Sequence, residues 1–155
     1  MEMIVAPSWS RDEYLVSCDP AATSLEVVHR FLCEESYWAR DISRNVVATE
    51  IANSLCFSLL HRDTQIGFAR VITDRATIAY LGDVFVLEAH RGKGLARWLM
   101  QCVMSHPELQ GLRRWILLTS DAHRLYEKFG FAPVLAPEKW MEKFNPQAYA
   151  GTKPA

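Results

Sequence analysis

Charge of one sign is missing from this chain: 17 Lys and Arg stand against 18 Asp and Glu, a formal net charge of −1, and neither sign runs on at length. A broad field that would steer the protein onto nucleic acid or an anionic membrane is therefore excluded, and any anion site must be local. Long apolar runs are missing too. Nowhere do about 18 apolar residues follow one another, as a spanning helix requires, and the opening MEMIVAPSWSRDEY has no basic stretch followed by an apolar one. Cysteine is sparse. Cys18, Cys33, Cys56 and Cys102 are widely separated in apolar segments, without the short paired spacings that gather ligands around zinc, so they read as buried free thiols. A reducing, cytoplasmic setting is expected, with no metal, no nucleic-acid partner and no membrane.

Half of the 155 residues are apolar, which suits one compact core, since two cores from so short a chain would each be poor. The pattern along the chain alternates. Tyr14 to Cys18 reads as a first strand ended by Asp19-Pro20. Thr23 or Ser24 can cap a helix on which Leu25, Val28, Phe31 and Leu32 recur at helical spacing, and a second helix spans Ile42 to Ala52. Leu55 to His61 and Gln65 to Ile72 flank the polar tip Arg62-Asp63-Thr64 as a β-hairpin. Ile78 to Leu87 is nearly continuous in hydrophobicity and is expected to be a strand covered on both faces. Leu95, Leu99, Cys102 and Val103 mark a helix stopping before Pro107; Trp115 to Thr119 reads as a short buried strand, with Trp98 and Trp115 in core patterns. Asp121 can cap a helix through Phe129, where Gly130 ends it. Phe131, Val134 to Leu135 and Lys139 to Phe144 are expected to supply final strands, and the tail after Pro146 to fray. This order predicts an α/β protein, a mixed sheet with helices on both faces.

The decisive stretch runs from Asp83 to Ala96: a strand, then His90-Arg91-Gly92-Lys93-Gly94, then a helix beginning at Leu95. Such a turn suits an anion. The first amides of a helix lack carbonyl partners, the dipole adds partial positive charge, and glycines let backbone approach a phosphate. Arg91, Lys93 and Arg97 can add charge at its rim. A Walker A loop is excluded because Lys93 is followed by Gly94 and Leu95, leaving no hydroxyl for magnesium; a dinucleotide fingerprint is excluded because Arg97 stands where its third small residue belongs.

Arg91-x-x-Gly94-x-Ala96 resembles the Arg/Gln-x-x-Gly-x-Gly/Ala motif of the GNAT N-acetyltransferase superfamily, and about thirty residues later Leu125-Tyr126-Glu127-Lys128-Phe129-Gly130-Phe131 resembles its Leu-Tyr-x-x-x-Gly-Phe segment. The order of elements resembles that family over nearly the whole chain, as a small single-domain bacterial-type member. The resemblance implies a GNAT domain over residues 1–146 with a flexible tail at 147–155. It implies a mixed, mostly antiparallel sheet of six to seven strands holding a splayed parallel pair. It also implies that acetyl-CoA is the co-substrate, held by Val86, Leu87, Arg91, Gly92, Lys93, Gly94, Leu95 and Ala96. Backbone amides near Val86 would polarise the thioester carbonyl, and Tyr126 would protonate the departing thiolate.

The acceptor side is less defined. In related polyamine acetyltransferases an adjacent Glu-Asp pair occupies the strand; this chain has Gly82-Asp83, so Asp83 matches the second position and the first carboxylate is missing. Asp83 reads either as base or ammonium-binding residue or as a solvated, core-capping aspartate, with a bound water as the other base. His123 could reach the same mouth or simply sit on the surface. Tyr37 and Trp38, with Asp41 nearby, either line the acceptor pocket or close the core, and Asn53-Ser54 are weaker candidates. A small-molecule primary amine is the expected acceptor, by direct transfer in a ternary complex. The alternatives are a protein N-terminus or lysine, and a non-catalytic acyl-CoA sensor that the Gly82 departure keeps open. Relatives are often dimers, which makes a homodimer one expectation.

Overall fold

A computed structural model describes residues 5–150. Its six strands lie in chain order across one sheet: β1 (Ser8–Arg11), β2 (Tyr14–Ser17), β3 (Leu55–His61), β4 (Thr64–Thr73), β5 (Ile78–Val86) and β6 (Arg114–Leu117). Neighbours are antiparallel except β5 and β6, which run parallel. β1 was not legible because Ser8, Ser10 and Arg11 are polar and exposed; Trp9 alone turns inward, stacking on Phe57 at 6.1 Å.

Helices cover both faces. On one lie α1 (Leu25–Arg30) and α2 (Arg44–Ala52), whose Val28 and Val47 pack with Phe31, Leu32, Phe68 and Phe85. On the other, α3 (Leu95–Met104) buries Trp98, Leu99, Met100, Cys102 and Val103 against β3, β4 and β5. α4 (His123–Glu127) completes that side through Tyr126. Ser24 caps α1 and Ser43 caps α2, each hydroxyl accepting an amide three residues on. The helix expected to run on past Phe31 instead widens at Phe31–Glu35 into a π turn, closed by the Ser36 amide on the Phe31 carbonyl at 2.9 Å. That turn sets Phe31 flat on Phe85, with ring centroids 4.0 Å apart.

The final strands do not form: after β6 no strand occurs among the described residues. Pro133 and Pro137 sit four apart and cannot donate to a ladder, so only short extended pieces fit between them. Phe131 packs into the core edge-on to Trp115 and Tyr126 instead. Of the expected tail, residues 147–150 make a turn with Tyr149 half-buried beside α2 and β4; residues 151–155, like 1–4, lie outside the described residues.

Three of the four free cysteines, Cys18, Cys56 and Cys102, are buried and Cys33 is half-buried. Burial pushes the thiols of Cys18 and Cys102 up to about 12 and that of Cys56 to about 11, which keeps all three protonated and unreactive near neutral pH. Among the described residues no helix is long and apolar enough to cross a membrane, and no group of His, Cys, Asp and Glu could hold a metal.

Candidate active site

β5 and β6 pair only from Ile78 opposite Arg114 to Leu81 opposite Leu117. Beyond Leu81, β5 runs on to Val86 alone while β6 has ended, so the sheet opens between them. At the opening β5 also bulges: Phe68 faces Phe85 but Arg70 faces Gly82, so Ala69 opposes both Asp83 and Val84. Asp83 adopts a left-handed φ of 53°, a strain of about 1–3 kcal/mol that persists only where surroundings hold it. They do. Arg70 Nε donates to Asp83 Oδ2 at 2.7 Å and Trp38 Nε1 to Oδ1 at 2.8 Å.

Arg70 is the centre of a buried charge cluster. Its Nη2 lies 3.1 Å from Glu50 Oε2 on α2, and its Nη1 donates to Ser54 Oγ at 3.2 Å. The other Glu50 oxygen, Oε1, is shielded from solvent and has no hydrogen-bond partner among the described residues. Burial, then the charge of Asp83, raises the Glu50 carboxyl to about 7 against the pull of Arg70, and the hydrogen bond that Glu50 can donate to Asp83 only once protonated adds to the rise. Sequence reading missed Glu50 and Arg70. The available signal was Arg70 itself, a cation inside the apolar run from Ile66 to Ile72 of β4, which demands a buried anion.

A cavity of about 470 Å³ adjoins this cluster, lined by Tyr37, Trp38, Glu50, Arg70, Tyr80, Asp83 and Tyr126 among others, with Phe144 and Tyr149 from the C-terminal segment. Ser36 positions the two aromatics of the loop: buried, it donates to the Leu32 carbonyl at 2.6 Å and accepts the Ala39 amide at 3.0 Å. Tyr37 Oη then accepts the Ser120 amide at 2.9 Å, roping this loop to the one before α4. Tyr126 is buried, and that burial pushes its hydroxyl up to about 12, helped by Tyr37 and Asp121. It stays a donor at neutral pH. Asp41 and Asn53 are absent from this wall, and exposed His123 lines a separate cavity between β6, α4 and residues 131–134.

Along β5 the opening leads to the glycine turn. The Leu87 amide bonds Ile66 of β4 at 2.8 Å, so by strand alternation the Val86 amide and carbonyl face the open side. Arg91 folds back, its Nε donating to that Val86 carbonyl at 2.9 Å, which braces the turn rather than extending charge from it. Gly92 and Gly94 hold left-handed φ of 78° and 74°, with open space where a Cβ would project. Gly94 caps α3 with no side chain. The amides of Gly92, Lys93 and Gly94 have no acceptor among the described residues, and those of Leu95, Ala96 and Arg97 have none within a helix. Leu95 is itself buried, so its backbone alone faces outward. Arg97 and Arg11 border a hollow beside Gly94.

A family model described as an acetyltransferase (GNAT) domain matches residues 52–133, a span from the end of α2 through the turn, β6 and α4. The chain belongs to the GNAT acetyltransferase family. A Gibberella zeae relative, the acetyltransferase-family protein FG08082, is 33% identical over 143 residues, covering 78% of this chain and 80% of its own. A solved GNAT-family protein of Xanthomonas campestris pv. campestris is 49% identical at a TM-score of 0.86, covering 88% of this chain and 96% of that one. A GNAT acetyltransferase from Elizabethkingia anophelis, solved with acetyl-CoA bound, shares the fold at a TM-score of 0.60 and 13% identity, over 88% of this chain and 91% of that one. The GNAT-like sheet order, the split parallel pair and the bare amides at the start of α3 therefore stand together in one acetyltransferase chain.

Proposed function

We propose that this GNAT protein moves an acetyl group from acetyl-CoA to the primary amine of a small molecule, by direct transfer in a ternary complex. The observation carrying this reading is the continuity of the β5–β6 opening: bare amides from Gly92 to Arg97 at one end, an aromatic cavity with buried carboxylates at the other.

In this reading the turn amides, with Arg97 and Arg11 at its edge, hold the pyrophosphate, and backbone from Val86 to Ala96 grips the coenzyme. The Val86 amide polarises the thioester carbonyl without reorganising during reaction. Asp83 receives the ammonium, and Tyr37 and Trp38 wall its organic part. A protonated amine cannot attack, so its proton leaves toward the carboxylates, directly or through a held water. The free amine adds to the carbonyl carbon, the tetrahedral adduct expels sulfur as the Tyr126 hydroxyl donates to it, and the remaining surplus nitrogen proton is given up to restore Tyr126, leaving the neutral amide and thiol. His123, on the far side of α4, would touch an acceptor only through a longer substituent. The cover supplied by Phe144 and Tyr149 favours a compact amine over a protein segment. This reading sets the transfer in the cytoplasm.

A homodimer belongs to this reading. β6 is an outer strand, and Leu135, Met141 and Phe144 of the following segment are largely exposed, apolar surface that a second copy would cover. Light scattering is expected to give twice the chain mass; a single chain mass would remove the dimer.

The test is acetyl-CoA dependent thiol release across a panel of amines, amino acids, polyamines and peptides. Strong stimulation by one class of small amine is expected. Slow hydrolysis that no amine stimulates would replace the enzyme with an acyl-CoA sensor.

A further inference from the structure

The cavity carries two carboxylates that could take the amine's proton, and they are not equally free. Asp83 has both oxygens engaged, one by Trp38 and one by Arg70. Glu50 spends only Oε2, on Arg70, and keeps Oε1 buried and bare while lining the same cavity. A buried acceptor with no donor is costly, and such a group persists where function requires it. One guanidinium serves two carboxylates here, so the cluster carries an excess negative charge until a proton or a cation arrives.

We propose that Glu50 is the proton acceptor of the transfer: the amine docks as its ammonium beside Asp83, and its proton comes to rest on Glu50 Oε1, within the Glu50–Asp83 couple. This rests on the acetyl-transfer reading. The balance is simple: the ammonium N–H bond breaks, a carboxyl O–H bond forms, and the nitrogen keeps the electron pair with which it attacks. After release of the amide, the proton passes to solvent. The charged and titratable groups facing Glu50 are Arg70 from β4, Asp83 and Tyr80 from β5, Cys56 from β3 and Tyr149 from the C-terminal turn. Of these, Asp83 holds the proton on Glu50 and Arg70 opposes it.

Two measurements test this. In Glu50→Gln, which keeps the shape and the Arg70 contact, kcat/KM with a reactive amine is expected to fall about a hundredfold or more, to lose the acidic limb of its pH profile, and to keep the wild-type affinity for coenzyme A by calorimetry. A limb unchanged in a variant with wild-type circular dichroism overturns the proposal. Independently of turnover, carbon-13 NMR of carboxyl-labelled wild-type protein is expected to show one Glu resonance titrating near neutrality, moving to lower pH in Asp83→Asn. All Glu carboxyls ionised by about pH 5, near their ordinary range, would overturn it even if no amine proved to be a substrate. An inactive wild type with a neutral-titrating Glu50 would instead sink the transfer reading and leave the couple standing.

Discussion

Tyr126 keeps its proton because it is buried, not because a base is withheld from it, and that decides how it can serve. A hydroxyl held up at about 12 stays protonated throughout the physiological range, as the proposed donation to the departing sulfur requires. Tyr126→Phe is expected to cut kcat at least tenfold with coenzyme affinity unchanged; equal loss in both would make Tyr126 a wall of the binding site, and unchanged turnover would remove it as the acid. Glu50 makes a second prediction, on stability. Its folded-state carboxyl titrates near 7 against an ordinary 4.5, so the native state binds more protons than the unfolded one between those values and wild-type stability falls as pH rises through that window. Gln mimics the protonated form. The melting temperature of Glu50→Gln relative to wild type should therefore climb from pH 5 to pH 8, and a constant difference would contradict the buried, raised carboxyl. Residues of this kind explain where sequence reading stops. Tyr126, Gly94 and Asp83 sit in short spaced words. Glu50 and Arg70 belong to no word; α2 and β4, separated by strand β3, bring them together.

At the scale of elements, α3 does two jobs with opposite requirements. Its inner face anchors the core through Trp98, Leu99 and Val103, while its first turn stays bare. Leu99 is fully buried, and Leu99→Ala is expected to cost about 2–5 kcal/mol of stability in denaturant unfolding. A loss below about 1 kcal/mol would mean that the helix is held chiefly elsewhere. The periodicity of α3 was legible because one buried face repeats at helical spacing, and the β3–β4 hairpin because two apolar runs, buried on both faces, flank a polar tip. β1 was not, since an edge strand with polar outward residues leaves no apolar run, and the π turn after α1 was not, since Phe31 and Leu32 satisfy helical spacing until geometry widens it. The strands expected at Phe131 and Val134 to Leu135 failed at Pro133 and Pro137, and the one expected from Lys139 is pre-empted at its start by the turn Pro137–Lys139. Hydrophobicity there reads as strand, but the backbone cannot sustain a ladder.

At the scale of the molecule, the sheet is one continuous wall that parts at a single seam. The parallel β5–β6 pairing ends at Leu81, the bulge at Asp83 turns a carboxylate into the gap, and α3 begins where the gap reaches the surface. Helices pack on both faces of the sheet that holds this seam, with the glycine turn at one end of the opening and the aromatic cavity at the other. The most direct test is calorimetry of coenzyme A on the wild type and on Gly94→Trp, whose indole would fill the open space before the α3 amides. Binding is expected in the wild type and lost in the variant, with the far-ultraviolet circular dichroism of the two alike. A Gly94→Trp protein that stays folded and binds coenzyme A as tightly as the wild type would contradict the assignment of this turn.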